Sequence, residues 1–379
     1  MTRLFLVAGE ASGDVLGGRL IPALRARDPD LQLAGIGGPR MAEQGVPSLF
    51  PIRELALMGL LEVLPSIRRL ARRLDEAEAA VIRFRPDALV TIDSPGFTLR
   101  LAARIKPLGI PVVHYVAPQI WAWRPGRVAK IRARVDRLLC LLPFEPPIFE
   151  AAQIPARFVG HPVLEAGIET GNTARFRARH GIAPEERVLL VMPGSRPGEI
   201  KRMLALFGGA IARLGATHPG LRPVLPVGHL VADAVAAGVE GWASRPILVT
   251  DLADKHDAFA AASLGLVKSG TSSLEMAVAG VPHLVAYRVN PITAAIVRRL
   301  ARVRFASLVN LLADRALVPE YLQEAATEAA LADGLAALLA GGAEAQRAGF
   351  GPVLAQLRAP EGLPSEAAAT AILEAAKRR

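Results

Sequence analysis

Cysteine is almost missing from this chain. Cys140 is the only one in 379 residues, so no disulfide can form within one copy, and a cytoplasmic protein is expected. It lies in "DRLLCLLPFE", where a buried strand position is the simplest reading. Aromatic residues are scarce too, 5% beside a hydrophobic fraction of 51%, which leaves Leu, Val, Ile and Ala to build the cores. No apolar run reaches the roughly 18 residues of a membrane-spanning helix. The opening "MTRLFLVAGE" has too short an apolar region for a signal peptide and reads directly into a strand. No nucleic-acid module and no aromatic stacking platform can be recognised, which speaks against a nucleic-acid partner.

What is present begins with charge. The formal net charge of +10 suits an anionic partner such as a phosphorylated metabolite, a nucleic acid or an anionic membrane surface. An arginine-rich coding bias is the plainer explanation, and charge alone does not decide.

The length allows two domains of ordinary size. Strand-like runs alternate with amphipathic helical stretches, which argues for parallel α/β sheets. The first half carries "LFLVAG", "LQLAGIG", "ALVTID", "IPVVHYVAP", "RLLCLLP" and "RFVGHP"; the second carries "RVLLVMPGS", "LRPVLPVG", "PILVTD", "LGLVKSG" and "PHLVAYRV". Few large apolar residues fall near 165–180, which marks the boundary. The expected fold is α/β, with two facing Rossmann-like, doubly wound parallel-sheet domains and ligands at the strand C-termini in the cleft between them. Residues 1–168 form the first domain and 175–349 the second, with the helical segment 350–379 free to pack back on the first. In "PSEAAATAILEAAKRR", Ser365 is the expected N-cap, and Lys377, Arg378 and Arg379 complement the helix dipole.

Two turns in the second half suit an anion. "VLLVMPGSRPGEIKRM" runs from a strand through Gly194, Ser195 and Arg196 into a helix beginning near Pro197. The free N–H groups there attract phosphate, and the Arg196 guanidinium can grip it at two points; a capped turn with a solvated arginine is the alternative. In "GLVKSGTSSLEMAVAGVPHLVAY", Ser269, Gly270, Thr271 and Ser272 form a second such start. Glu275 stands one helical turn beyond Thr271, where it can accept hydrogen bonds from ribose hydroxyls. A capping box between Ser272 and Glu275 is the alternative.

The first turn, "LVAGEASGDVLGGRL", is different. Its glycines fall at Gly9, Gly13 and Gly17, not in the G-x-G-x-x-G spacing of dinucleotide sites, and Glu10 and Asp14 would repel phosphate. Glu10, Ser12, Gly13 and Asp14 suit sugar hydroxyls or amides, with helix capping by Ser12 or Asp14 as the alternative. In "IPVVHYVAPQIWAWRPGRVAKI", Trp121 and Trp123 alternate ahead of Arg124. Stacking on a sugar or acyl chain, with arginine for a phosphate, is the functional reading; loop anchoring is the other.

Taken together, "VAGEASGD", "APQIWAWRPGR", "LPFEPPIFE", "FVGHP", "MPGSRPGEI", "SGTSSLE" and "SLVNLLADRALVPEYLQ" resemble the lipid A disaccharide synthase family of GT-B glycosyltransferases, in the same order over nearly the whole chain. The resemblance implies condensation of UDP-2,3-diacylglucosamine with 2,3-diacylglucosamine 1-phosphate. The products are UDP and a β-1′,6-linked disaccharide 1-phosphate, the lipid A precursor. It implies inversion, no catalytic metal, no cofactor, and work at the inner face of the cytoplasmic membrane. The family's catalytic aspartate falls on Asp93 in "ALVTIDSPG", which makes Asp93 the expected base; an Asx-turn is the alternative reading. Relatives commonly read I-D-[AS]-P-D-F-N, whereas Gly96 and Thr98 stand here for the second Asp and the Asn. Arg196, Gly194 and Ser195 would hold the leaving diphosphate and Glu275 the ribose. Asn310, in a segment usually written SLPN, would lie near the donor. Trp121, Trp123 and Arg124 join the first turn on the acceptor side. His114 and His161 end strands and are either auxiliary or satisfied by backbone hydrogen bonds.

Acylated substrates call for a membrane contact. Residues 55–74 place Leu57, Leu60, Leu61, Leu64, Ile67, Ala71 and Leu74 on one helical face beside Arg68, Arg69, Arg72 and Arg73. That is the composition of an interfacial anchor, or of a core-facing helix with a solvated arginine face. "NPITAAIVRRLARVRF" has the same ambiguity. A homodimer is compatible with the sequence. The rival functions are another UDP-sugar GT-B enzyme, such as an epimerase or a peptidoglycan-type transferase, and a non-enzymatic nucleotide- or nucleic-acid-binding protein.

Overall fold

The computed structural model describes residues 1–55, 63–119, 128–194, 197–228, 231–290 and 304–377. The chain divides into two compact units, Met1–Glu165 with Leu357–Arg379, and Ala166–Gln356.

In the first unit the short apolar runs become β1 (Arg3–Ala8), β2 (Gln32–Ile36), β3 (Ala88–Ile92), β4 (Val112–Tyr115), β5 (Arg137–Cys140) and β6 (Ala156–Phe158). They pair in parallel in the order β2-β1-β3-β4-β5-β6. Strands covered on both faces must be apolar throughout, and β3 (ALVTI) and β4 (VVHY) are buried at every position. Cys140 is one of these buried strand positions, and burial pushes its thiol pKa up. The topological switch of this sheet falls between β1 and β3, where Leu4 to Ala8 lie beside Ala88 to Ile92.

Helix Ala11–Arg27 covers one face of the sheet, and helix Pro364–Ala376 packs alongside it. Leu20, Leu24, Ala368, Ala371, Ile372 and Ala375 share their core with Leu4, Leu6 and Val90. Alanines let two helix backbones approach closely, and each fully buried Leu or Ile contributes about 1.5–3 kcal/mol. Ser365 is not the cap of the last helix. Leu363 holds that position, and Ser365 instead donates from its backbone N (3.0 Å) and its hydroxyl (2.5 Å) to Glu165.

The opposite face is covered by helices Val63–Phe84 and Pro95–Ile105. Along the first of these the buried positions are Leu70, Leu74, Ala77 and Val81, the i, i+4, i+7, i+11 stripe of a core-facing helix. Ala71, expected on the apolar face, is exposed, so from Leu70 onward the apolar face belongs to the core. Leu57, Leu60 and Leu61 lie outside the described residues, as does most of 290–305.

The second unit has β7 (Arg187–Met192), β8 (Leu221–Pro226), β9 (Ile247–Val249), β10 (Ala262–Lys268), β11 (His283–Tyr287) and β12 (Glu320–Leu322), parallel in the order β12-β11-β10-β7-β8-β9. Here the switch lies between β7 and β10. The three-residue β12, with a glutamate and a tyrosine, is the strand the sequence pattern did not mark. Among the described residues no helix is long and apolar enough to cross a membrane.

Candidate functional site

In open parallel sheets ligands bind beyond the strand C-termini at the switch point, so each switch is a candidate site. In the first unit, β1 runs into Gly9 and Glu10, and helix Ala11–Arg27 begins without a side-chain cap from Glu10. Ser12 does not cap that helix. Its hydroxyl donates to Asp93 Oδ2 at 2.8 Å, and the backbone N–H of Ser94 donates to Asp93 Oδ1 at 2.7 Å. Both carboxylate oxygens are therefore held by short donors on opposite sides of the turn.

The backbone at this point is unusual. Asp93 and Ser94 have φ of 53° and 45°, successive non-glycine residues in the left-handed region, which is costly and clusters at functional sites. Thr98 supports the turn from the helix that follows: its hydroxyl donates to the carbonyls of Asp93 (2.7 Å) and Ser94 (2.9 Å). Gly9 must be glycine, because a Cβ there would lie 2.5 Å from the Ser94 Cβ. Glu10 is exposed and accepts from Ser94 Oγ at 3.5 Å. The structure thus brings Glu10, Ser12, Asp93 and Ser94 into one group at the β1/β3 edge.

Asp14 is not part of it. Its carboxylate is buried and accepts from the backbone N–H groups of Gly38 (2.7 Å), Met41 (3.0 Å) and Arg40 (3.0 Å). It thereby anchors the start of helix Pro39–Glu43, and the expected acceptor contact has no free oxygen to make it. Gly13 packs beneath the turn, where a Cβ would stand 3.0 Å from the Ile92 carbonyl oxygen. Trp121, Trp123 and Arg124 lie outside the described residues.

The histidines at the strand ends are internal. His114 is fully buried, and its Nδ1 lies 2.8 Å from Thr91 Oγ1. Burial pulls its pKa down to about 4 against the opposing pull of Asp93. Its Nε2 has no hydrogen-bond partner among the described residues. His161 is likewise held down at about 4 by burial, and its Nδ1 accepts from Val163 N at 3.1 Å.

In the second unit, β7 ends at Pro193 and Gly194, the latter with φ of 117°, and helix Pro197–Thr217 follows. Ser195 and Arg196 lie outside the described residues. Beside it β10 ends at Lys268, followed by Ser269, Gly270 (φ 153°) and Thr271, with helix Ser272–Val278 next. Ser269 Oγ donates to the Ala306 carbonyl at 2.8 Å. Neither Thr271 nor Ser272 provides a side-chain cap, so the capping box does not form. Glu275 pairs instead with Lys255, Nζ to Oε1 at 2.7 Å, while Lys268 pairs with Glu199 at 3.1 Å.

Asn310, expected near the donor, is fully buried. Its amide donates to the Val318 carbonyl (2.8 Å) and Glu320 (2.7 Å), and its oxygen accepts from Leu317 N and Val318 N, both at 2.8 Å. With each polar atom engaged, the side chain fixes the loop that leads into β12. Below it runs a buried chain from Ser307 to Ser273 (3.0 Å) to His283 (2.8 Å). Sequence reasoning missed this network together with Lys255, Lys268 and Glu199; a lysine closing an otherwise apolar strand was the one visible signal.

Comparison with known proteins gives the family and supports the fold. A family model described as lipid-A-disaccharide synthetase matches residues 4–360. The lipid-A-disaccharide synthase of Granulibacter bethesdensis is 51% identical over 384 residues, covering 98% of this chain and 98% of its own. That of Pseudomonas aeruginosa is 43% identical over 378 residues, covering 100% and 99%. Among solved structures, the UDP-GlcNAc 2-epimerase from Neisseria meningitidis bound to UDP-GlcNAc aligns with a TM-score of 0.66 at 14% identity, over 98% of this chain and 99% of that one. The glycotransferase of kitacinnamycin aligns at 0.63 and 18%, over 99% and 98%. At such identities they establish the fold alone, that of GT-B proteins with two Rossmann-like domains.

Proposed function

This chain belongs to the lipid-A-disaccharide synthetase family, and on that premise we propose how it carries out a UDP-sugar-dependent glycosyl transfer. The substrates are UDP-2,3-diacylglucosamine and 2,3-diacylglucosamine 1-phosphate. The acceptor hydroxyl attacks the anomeric carbon, UDP departs, and the configuration inverts to give the β-1′,6-linked disaccharide 1-phosphate.

Asp93 is the general base. An inverting transfer needs one group to take the hydroxyl proton during attack, and a carboxylate fixed by donors on both oxygens is already oriented for it. Its position at the β1/β3 switch, held by Ser12 and Ser94, is the observation that carries the reading. Glu10 and the first glycine turn meet acceptor hydroxyls, with Trp121, Trp123 and Arg124 completing the acceptor side. The second unit takes the nucleotide. Gly194, Ser195 and Arg196 ahead of helix Pro197–Thr217 hold the diphosphate, because a helix N-terminus favours anions. The turn from Ser269 to Ser272 follows the strand next to the one that ends before Gly194, and Glu275 accepts from the ribose hydroxyls. The working enzyme sits on the anionic inner face of the cytoplasmic membrane, a reading that the acyl chains and the net charge of +10 support.

Incubation of the protein with the two acylated sugars, without added metal, should release UDP and the disaccharide in equal amounts. UDP released only to water, or an isomerised sugar nucleotide, would assign a different reaction.

A further inference from the structure

We propose that Lys268 joins Arg196 in taking up the charge of the departing diphosphate, and that Glu199 is the counter-ion Lys268 exchanges for phosphate. The inference deepens the reading of the nucleotide site given above and rests on it.

The two residues meet because β7 and β10 are neighbours. Lys268 closes β10, and Glu199 stands in the first turn of the helix that follows β7. Nζ lies 3.1 Å from Glu199 Oε1, with the side chains only 17% and 13% exposed. The ammonium also sits 4.9 Å from the centroid of the Tyr287 ring, a cation–π contact. Its surroundings place it between the two glycine turns. A Cβ built on Gly194 would lie 2.9 Å from Glu199 Oε2 and 3.6 Å from Lys268 Cδ, and one built on Gly270 would lie 4.0 Å from Lys268 Nζ. Both turns of the switch thus open onto this ion pair.

A partly buried ion pair gains little net stability, since desolvation offsets the attraction. Its location suits an exchange of partners. Lysine carries a compact point charge with three donors on a flexible four-carbon stem, so rotating a few side-chain bonds moves Nζ from carboxylate to phosphate without backbone motion. In the reaction the bond between the anomeric carbon and the β-phosphate oxygen breaks, and its electron pair goes to that oxygen. The diphosphate gains one negative charge as the acceptor oxygen bonds to the anomeric carbon and its proton passes to Asp93. A cation within hydrogen-bond reach of that oxygen stabilises the transition state more than the ground state.

The test compares uridine and UDP binding by calorimetry, with turnover measured in parallel. Lys268→Met should weaken UDP by about 10- to 100-fold, as expected for loss of a charge-assisted contact, and lower kcat by about 100-fold. Uridine affinity should not change. Lys268→Arg should restore part of both losses. The double variant Lys268→Met/Glu199→Gln removes both charges together and should melt close to the wild type, yet keep the UDP defect. Glu199→Gln alone should bind UDP at least as tightly as the wild type, because it removes the competing anion; an ion pair that is only structural would weaken binding in both single variants. A folded double variant with the wild-type ratio of UDP to uridine affinity overturns the inference. Failure of the wild type to bind UDP would instead overturn the nucleotide site itself.

Discussion

Ser12 Oγ and Asp93 Oδ2 lie 2.8 Å apart although 81 residues separate them in the chain. The bond ties the first turn of one helix to the turn after the neighbouring strand, so the orientation of Asp93 depends on two elements at once. With Asp93 as the base, Ser12→Ala should lower kcat by about 10- to 100-fold, the cost of a hydrogen bond to a charged group, and leave the KM for the UDP-sugar near its wild-type value. Ser12→Thr should recover most of the rate. Steady-state kinetics on the three proteins decides it, and an unchanged kcat in Ser12→Ala removes Ser12 from the positioning of Asp93.

Asp93→Asn keeps the shape of the turn and removes the proton acceptor. Turnover should fall by about 100- to 10,000-fold, the usual contribution of a general base, while UDP binding measured by calorimetry stays intact. A lost UDP signal would move Asp93 into the donor pocket.

Gly9→Ala places a methyl carbon 2.5 Å from the Ser94 Cβ and 2.6 Å from its Oγ. Relief requires the left-handed pair at 93 and 94 to shift, so activity should suffer more than stability. Overpacking costs about 1–3 kcal/mol, measurable as a lower denaturation midpoint.

Asp14→Ala should do the reverse. Three backbone N–H groups lose their acceptor, one of the named routes to a large destabilisation, at about 3 kcal/mol or more. The KM values of the folded fraction should stay close to wild type. A stable variant with a raised acceptor KM would return Asp14 to the substrate side.

Acid should destabilise the protein before the carboxylates titrate. His114, His161 and His283 are each held down to about 4 by burial, whereas an unfolded histidine titrates near about 6.5. Between these values the unfolded chain binds more protons than the folded one. The neutral histidines therefore contribute stability that is complete above about pH 6.5 and is lost as pH falls towards 4. Denaturant midpoints across that range should decline steeply, and replacing His283 by Gln should flatten the slope.

The strands were legible because two-sided burial demands continuous apolar runs, and each run quoted above as a strand became one. β12 escaped because Glu320–Leu322 is short and polar. The polar residues divided according to direction. Ser12 and Asp14 stand two apart on one helix, about 200° around its axis, so one reaches Asp93 while the other turns inward to Gly38. Composition marks both as candidates; only the packing of helix Pro39–Glu43 separates them. Asn310 stood out in its motif, but its acceptors and donors lie seven to ten residues ahead, in a stretch without periodicity that leads into β12. Lys268 and Glu199 meet across adjacent strands, a proximity that depends on strand order and on no local pattern.

The helix Pro364–Ala376 completes the unit that β1 begins. Strands β1 to β6 therefore leave the ribosome without their closing helix, which follows only after all of Ala166–Gln356 is translated. Domains that form in order of synthesis are the common case; here the later unit can mature first, with the earlier one left ajar. A stop codon just before Pro364 would damage the unit that β1 opens.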